Sequence, residues 1–345
     1  MQKKAQVLMI SLWILVILTI LAVSIAHRVS LALRLSRYQK DRTRAVYLAK
    51  AGINLAIKEI ENDNNGYDSL NDGWANNENR FGHIAFSENK NEFASVSYTV
   101  KKEEEEETIF GALDEESKIN INTASLELLA ALLKECQIDS VKAEAFSLDI
   151  LVYRGAVALP EEIRRDYEDN LGYACKRQKF TNIEELRLVR GAGGITPEKL
   201  EKLKTLITVY GDGKININTA SREVLKARAL ATVSELLKET PGLSIGADDA
   251  NDLTEKIFDF RNSNNGYFIP ADINTERMKS ALGLRDIRDD NRTKIIDKLI
   301  TSLAITGVSG NFKIEAQGHI GRFTRTVTAV VKRLAPAEII YWHEN

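Results

Sequence analysis

The chain has 345 residues, enough for two compact domains or for one domain plus an anchor. Charged residues make up 28% and sum to a formal net charge of −2, so the overall balance calls for no strongly acidic or basic partner, although it hides asymmetry along the chain. Two cysteines, Cys136 and Cys175, are too few for a disulfide framework and their pairing stays open, and the histidines at 27, 83, 319 and 343 are too scattered for a metal-ligand cluster.

Residues 7–26 are apolar except for Ser11, Thr19 and Ser24, and carry no charge. A helix of about 20 such residues matches the hydrocarbon thickness of a bilayer. A buried core helix of this length would show a polar face, and this one shows none. Lys3 and Lys4 precede it and place the N-terminus in the cytoplasm by the positive-inside rule. A cleaved secretory signal is the competing reading. Against it, no small-x-small cleavage site follows the apolar run before His27, Arg28, Arg34 and Arg37.

The helical pattern then continues. Val29, Leu33, Tyr38, Val46, Ala49, Ile53, Leu55, Ala56 and Ile60 recur at mixed steps of three and four. Gly52 is the first glycine and Pro160 the first proline, and the run stops at Asn62-Asp63-Asn64-Asn65-Gly66. A single helix of about 55 residues, on the order of 80 Å long, is expected, half in lipid and half packed on a globular head.

Residues 62–92 read as loops. Phe93 to Val100 alternates with period two and predicts a strand, and the like-charged run Glu103 to Glu107 predicts a solvated hairpin tip or loop. Next comes an octapeptide present twice. Lys118-Ile119-Asn120-Ile121-Asn122-Thr123-Ala124-Ser125 recurs as Lys214-Ile215-Asn216-Ile217-Asn218-Thr219-Ala220-Ser221. Each copy reads as a short strand feeding a helix, with Asn and Thr as cap candidates and Glu127 or Glu223 near the first turn. Later phrases also come in pairs: 148–154 with 255–261, and 180–186 with 268–273, the last predicting capped helices. The alternation over residues 312–331 predicts a hairpin. Strands early and late with helices between them imply an α+β head interrupted by an all-α insert.

Several of these phrases together resemble the protein K family of type II secretion minor pseudopilins. Gln6-Val7-Leu8-Met9-Ile10-Ser11-Leu12-Trp13 is similar to that family's V-A-L-L-L-V-L-W segment, and residues 44–56 to its A-x-A-L-A-E-A-G-V-E-L-A. The repeated octapeptide resembles its K-I-N-L-N-T-A. Leu186-Arg187-Leu188-Val189-Arg190-Gly191 and Leu206-Ile207-Thr208-Val209-Tyr210-Gly211 resemble its E-E-L-x-x-V-x-G and L-T-V-Y-G phrases.

The resemblance implies a type IV pilin-like α+β fold: a long N-terminal helix on an antiparallel sheet, with an inserted helix-hairpin-helix-like domain. Its expected divisions are a leader at 1–5, a membrane span at 6–27, a stalk at 28–61, the first part of the head at 62–117, helical repeats at 118–213 and 214–300, and closing strands at 301–345. It also implies a bacterial inner-membrane protein with a periplasmic head. Prepilin peptidase would cut between Ala5 and Gln6, followed by N-methylation, although Ala5 stands where Gly is usual. Ile10 occupies the fifth mature position, where most pilins carry a Glu that neutralises a neighbour's ammonium. A subunit with none above it has no ammonium to neutralise, and an unpaired carboxylate in lipid costs several kcal/mol. Ile10 therefore suits a filament tip. The implied partners are the I-, J- and H-type minor pseudopilins.

Calcium is a further implication. Asp166, Glu168 and Asp169 resemble the family's acidic D-D-Y-Y segment, and calcium prefers several carboxylates on one loop. The family's W-R-D phrase, however, is Tyr153-Arg154-Gly155 here, one carboxylate short. No motif for nucleophilic catalysis stands out, so no enzyme is expected. Residues 189–197 also resemble the glycine turn of helix-hairpin-helix DNA receptors of competence systems, and a minor pilin of a type IV pilus is a related alternative. The turn's neighbours Glu184, Glu185, Glu198, Arg187, Arg190 and Lys199 make a mixed surface rather than a basic one, so nucleic acid is not expected.

Overall fold

The computed structural model describes residues 2–86, 91–102, 105–263, 266–284 and 291–345, without the side chains of 2–6, 8, 101, 102, 105 and 106. A single helix, α1, runs unbroken from Gln2–Asn62, about 90 Å at 1.5 Å per residue. The described side chains of its apolar run are all exposed, whereas beyond residue 44 one stripe goes under. Ala45, Ala49, Ile53, Ala56 and Ile60 are each at most 1% exposed and recur every three or four residues, the spacing of one helical face.

That stripe lies on an antiparallel sheet of strands β1 (Ile84–Ala85), β2 (Glu92–Val96), β5 (Leu113–Asp114), β10 (Asn311–Ile320), β11 (Phe323–Lys332) and β12 (Glu338–Glu344). The order is β1-β2-β10-β11-β12, with β5 beside the start of β10. The expected hairpin is present, with Phe312 opposite Val331 and Ile320 opposite Phe323. Along β10 buried and half-buried residues alternate, because one face meets the helix and Trp74 while the other is partly open.

The strand expected over 93–100 divides at Ser97, whose N–H reaches Glu315 O at 3.0 Å. Its first half is β2. Its second half is β3 (Tyr98–Lys102), which leaves the main sheet to pair with β4 (Glu105–Ile109). The acidic run thus belongs to a hairpin, as one of the two expected readings has it, but Glu105, Glu106 and Glu107 are residues of its second strand, in register with Lys102, Lys101 and Val100. Residues 103 and 104 lie outside the described ones.

Between β5 and β10 the helical insert is built twice. In the first copy β6 (Ile119–Asn120) pairs in parallel with β7 (Ile207–Thr208); in the second β8 (Ile215–Asn216) pairs in parallel with β9 (Ile305–Thr306). The second copy thus closes a few residues beyond 300. The leading helices, Leu126–Glu135 and Arg222–Glu239, pack on each other, so the copies share one core. Lys238 pairs with Glu127, and Lys226 with Glu135 at 3.1 Å, across that contact.

The helix caps differ from the expectation. Ser125 Oγ accepts from Leu128 N and Ser221 Oγ from Val224 N, so serine is the cap and the asparagines are free for other work. Asn122 Nδ2 donates to Phe180 O at 3.0 Å while its Oδ1 accepts from Phe180 N at 2.8 Å. Asn218 does the same with Phe268 at 2.9 and 2.8 Å. Each octapeptide thereby clamps an extended loop edge through a pseudo-sheet pair. The arginine of each later phrase closes the clamp from the other side: Arg154 binds Ile121 O and Ala124 O, and Arg261 binds Ala220 O. The predicted capped helices after Phe180 and Phe268 are short 3-10 turns, Ile183–Leu188 and Pro270–Asp272.

Candidate functional site

Two features could do work: the rod formed by α1, and the junction where the helical insert meets the head. Ile10 is 60% exposed in a run where the described side chains from Val7 to Val23 are also exposed, so none of the described residues covers this face. Ala5 and Gln6 lie in the helix, with side chains outside the described ones.

The rod is held to the sheet by close backbone approach. A Cβ placed on Gly318 of β10 would stand 1.9 Å from Ala45 O and 2.7 Å from Ala49 N. One on Gly52 would meet the Ala316 methyl at 3.2 Å. Small residues on both sides let helix and strand touch. Around this contact, Tyr38 packs edge-on against Phe323 at 5.1 Å, Arg44 pairs with Glu92 at 2.5 Å, and Lys50 pairs with Glu344 at 2.7 Å beside the Trp342 ring.

At the junction, Asp114, Glu115 and Glu116 follow one another and all three are buried. Asp114 Oδ2 accepts from Asn216 Nδ2 at 3.2 Å, from Ser309 Oγ at 2.6 Å and from Thr219 Oγ1, tying the head to the second repeat. Glu115 accepts from Thr208 Oγ1 of the first repeat and from Lys118 Nζ at 2.8 Å. Glu116 accepts from Asn311 N at 3.0 Å and Nδ2 at 2.7 Å at the start of β10. Burial pushes the Asp114 carboxyl up to about 6 against the pull of its hydrogen bonds. Burial, helped by the charge of Asp114, pushes Glu116 up to about 8.

Next to this junction Arg333 grips Asp68 through both guanidinium nitrogens, at 3.0 and 2.7 Å. Burial raises the Asp68 carboxyl even so. Asp68, Asp63 and Asp72 bring carboxylate oxygens within 4.8 Å of one another. Each already has a donor: Trp74 Nε1 for Asp63 at 3.1 Å, Arg333 for Asp68, and Ser69 N with Asn65 Nδ2 for Asp72.

The acidic turn proposed for calcium is a π-helical turn, Asp166–Leu171. Asp166 accepts from Arg190 Nη1 at 3.1 Å and from Asn170, and Glu168 pairs with Arg164. Two of the three carboxylates are thus spent on arginines, and among the described residues the three do not converge on one point. That donor arrangement does not fit a calcium ion, which needs six to eight oxygens facing inward. The glycine turn at Gly191 has φ +84, and a Cβ there would meet Asp149 Oδ2 at 3.2 Å. Arg190, beside it, is held by Asp149 at 2.7 Å and by Asp166. A phosphate approaching this turn would therefore meet carboxylates.

Comparison with known proteins supports the architecture. A family model described as PilX N-terminal matches residues 6–54. A chain of the crystal structure of the GspK–GspI–GspJ complex from the type 2 secretion system of enterotoxigenic Escherichia coli superposes with a TM-score of 0.63. It is 15% identical, and the match covers 90% of this chain and 99% of that one. The chain has the fold of a GspK-type minor pseudopilin. No curated protein matches it by sequence. In that fold, α1 is the long N-terminal helix, the six strands are the head, and the doubled module is the insert. The expected architecture, including the insert between early and late strands, holds.

Sequence reasoning passed over the junction. In sequence Asp114-Glu115-Glu116 looks like the acidic run at 103–107, yet it lies one residue before the repeated octapeptide, and that adjacency was the available signal. The Asp63–Asp68–Asp72 group was hidden in a stretch that reads as loop; Arg333, far away in sequence, pairs with two of its members, Asp68 and Asp63.

Proposed function

We propose that this chain is a non-enzymatic minor pseudopilin that assembles with I-, J- and H-type partners at the tip of a type II secretion pseudopilus and so supports protein export. The observation that carries the reading is the unbroken helix that is bare and apolar at one end and sealed to the sheet from Ala45 at the other. A rod with its apolar half uncovered requires lipid or other rods around it. In this reading residues 6–27 cross the inner membrane, the head is periplasmic, prepilin peptidase cuts after Ala5, Gln6 is methylated, and Ile10 marks a subunit with none above it.

The structures of the GspK–GspI–GspJ type supply the partner class. Co-purification of the head, residues 28–345, with the heads of the I- and J-type partners tests it. A stable stoichiometric complex is expected; a monodisperse monomer in the presence of all partner heads would overturn the assembly role. Mass spectrometry of the membrane-extracted protein tests processing, with an N-methylated Gln6 expected and an intact Met1 refuting it.

Orientation carries one tension. Lys3 and Lys4 are outnumbered by the basic residues just beyond the span, opposite to the usual bias of short flanks. Those residues need a reason to be there.

A further inference from the structure

Charge along this chain is sharply divided. The first 44 residues hold eight Lys or Arg and one Asp, a net +7, while the rest holds 39 basic against 48 acidic residues, a net −9. Arg28, Arg34, Arg37, Lys40 and Arg42 are all exposed, and among the described residues none of them makes an ion pair. Arg44, the next cation, is already engaged with Glu92 of the head. Arg28, Arg34 and Arg37 therefore stand on a bare section of rod between the apolar span and the first contact with the sheet, Tyr38 on Phe323, while Lys40 and Arg42 lie just past that contact.

We propose that Arg28, Arg34 and Arg37 form a clasp for anionic phospholipid headgroups on the head side of the bilayer. The inference rests on the reading that residues 7–26 span the membrane. The helix does not break after Ala26, so heights follow from its rise: Arg28 stands roughly 3 Å, Arg34 roughly 12 Å and Arg37 roughly 17 Å beyond Ala26, the end of the uncharged apolar run. The headgroup layer is roughly 5–7 Å deep on each side. Arg28 sits in that layer. Arg34 and Arg37 reach back toward it along their long side chains, within about a Debye length of its surface at physiological salt. Lys40 and Arg42, roughly 21 and 24 Å up, stand out of range in an upright helix.

Charge complementarity selects the occupant. A guanidinium pairs with phosphate in bidentate fashion, and among the described residues no carboxylate pairs with Arg28, Arg34 or Arg37, Asp41 being the single acid before Glu59. The alternative occupant is the acidic head of a neighbouring subunit. It is less favoured because the three arginines begin where lipid ends, and an acidic head would have to press against the bilayer to reach Arg28. The clasp also accounts for a basic flank on the head side: it holds the unassembled subunit at a fixed depth.

The test uses the full chain, inserted into vesicles of phosphatidylcholine alone or of phosphatidylcholine with phosphatidylglycerol, and into micelles holding both lipids for native mass spectrometry. Flotation with pure phosphatidylcholine vesicles reads the anchor by itself. If the chain fails to float, the membrane-span reading falls first; if it floats without preferring phosphatidylglycerol, the clasp alone is wrong. The expected result is roughly ten-fold enrichment of bound phosphatidylglycerol over phosphatidylcholine, collapsing at 0.5 M salt. In R28Q/R34Q/R37Q the preference drops to two-fold or less while flotation is kept. K40Q/R42Q retains it; an equal loss in that variant would overturn the height argument. A triple variant that keeps its lipid preference but no longer co-purifies with partner heads would reassign the belt to an acidic protein surface and overturn the proposal.

Discussion

Gly318→Ala tests how the rod is fixed to the head. The added Cβ would lie 1.9 Å from Ala45 O, a backbone atom in mid-helix that has no rotamer to escape into. Restoring an ordinary contact of about 3.2 Å forces helix and strand apart by roughly 1.3 Å. A radial gap of 0.5–1 Å already forfeits about a quarter to a half of a dispersion well, and the loss extends along the stripe from Ala45 to Ile60. Overpacking of this kind costs about 1–3 kcal/mol and sometimes more, and here the upper end applies because both partners are main chain. For a head of this size about 3 kcal/mol corresponds to a fall of roughly 6–12 °C in melting temperature. Circular dichroism of the detergent-solubilised full chain reads this directly. Gly193→Ala is the control: a Cβ there meets nothing within 4 Å, so a change within about 0.5 kcal/mol is expected. If Gly318→Ala melts within 2 °C of the parent, the close helix–strand contact is not what seals the head.

The other predictions concern the junction, the insert and the acidic turn. Asp114 and Glu116 have folded pKa values raised to about 6 and about 8, so the native state keeps protons that the unfolded chain has released. Their contribution is full below about pH 4 and is lost as pH rises through those values. Glu116→Gln removes the upper step, so its stability relative to the parent should rise by on the order of 3 kcal/mol between pH 5 and pH 8 in paired urea titrations, and a constant difference would contradict the burial argument. Asn218→Ala strands Phe268 N–H and C=O in a buried site and should cost about 2–4 kcal/mol. Asn122→Ala, half-buried so that water can replace the amide, should cost about half as much, and equal losses would show the copies to be equally dry. With Asp166 and Glu168 held by arginines, chelation by EDTA should leave the melting temperature unchanged within a degree, whereas a calcium-dependent rise abolished by Asp169→Asn would reinstate the ion.

What could be read from the sequence was whatever a short period or a literal repeat encodes. The rod follows from residues 7–60, where apolar spacing and the absence of proline leave no other structure. The doubled octapeptide announced the doubled module. Pairings at long range were not legible. That Ser97 diverts a strand, or that Arg333 collects Asp68 across 265 positions, depends on contacts that no local window contains. Cap identity failed for a subtler reason: Asn, Thr and Ser all compete for the same backbone donors, and the tertiary demand for Asn122 and Asn218 at the loop edges left serine to cap.

The acidic triplet shows why the insert can project from the head without swinging freely. Three successive carboxylates leave one tight turn toward three destinations: Asp114 to the second repeat, Glu115 to the first, and Glu116 to the strand that carries the rod. Successive side chains of a tight turn cannot move independently, so shifting either repeat against the sheet must break a buried hydrogen bond. Tyr67 of the head also stacks on Tyr267 of the second repeat at 3.8 Å, and Asp68 N donates to Gly307 O at 2.9 Å, which adds a second row of contacts. The rod, the sheet and both repeats are therefore tied together by buried contacts, so that displacing any one of them against the others must break several at once.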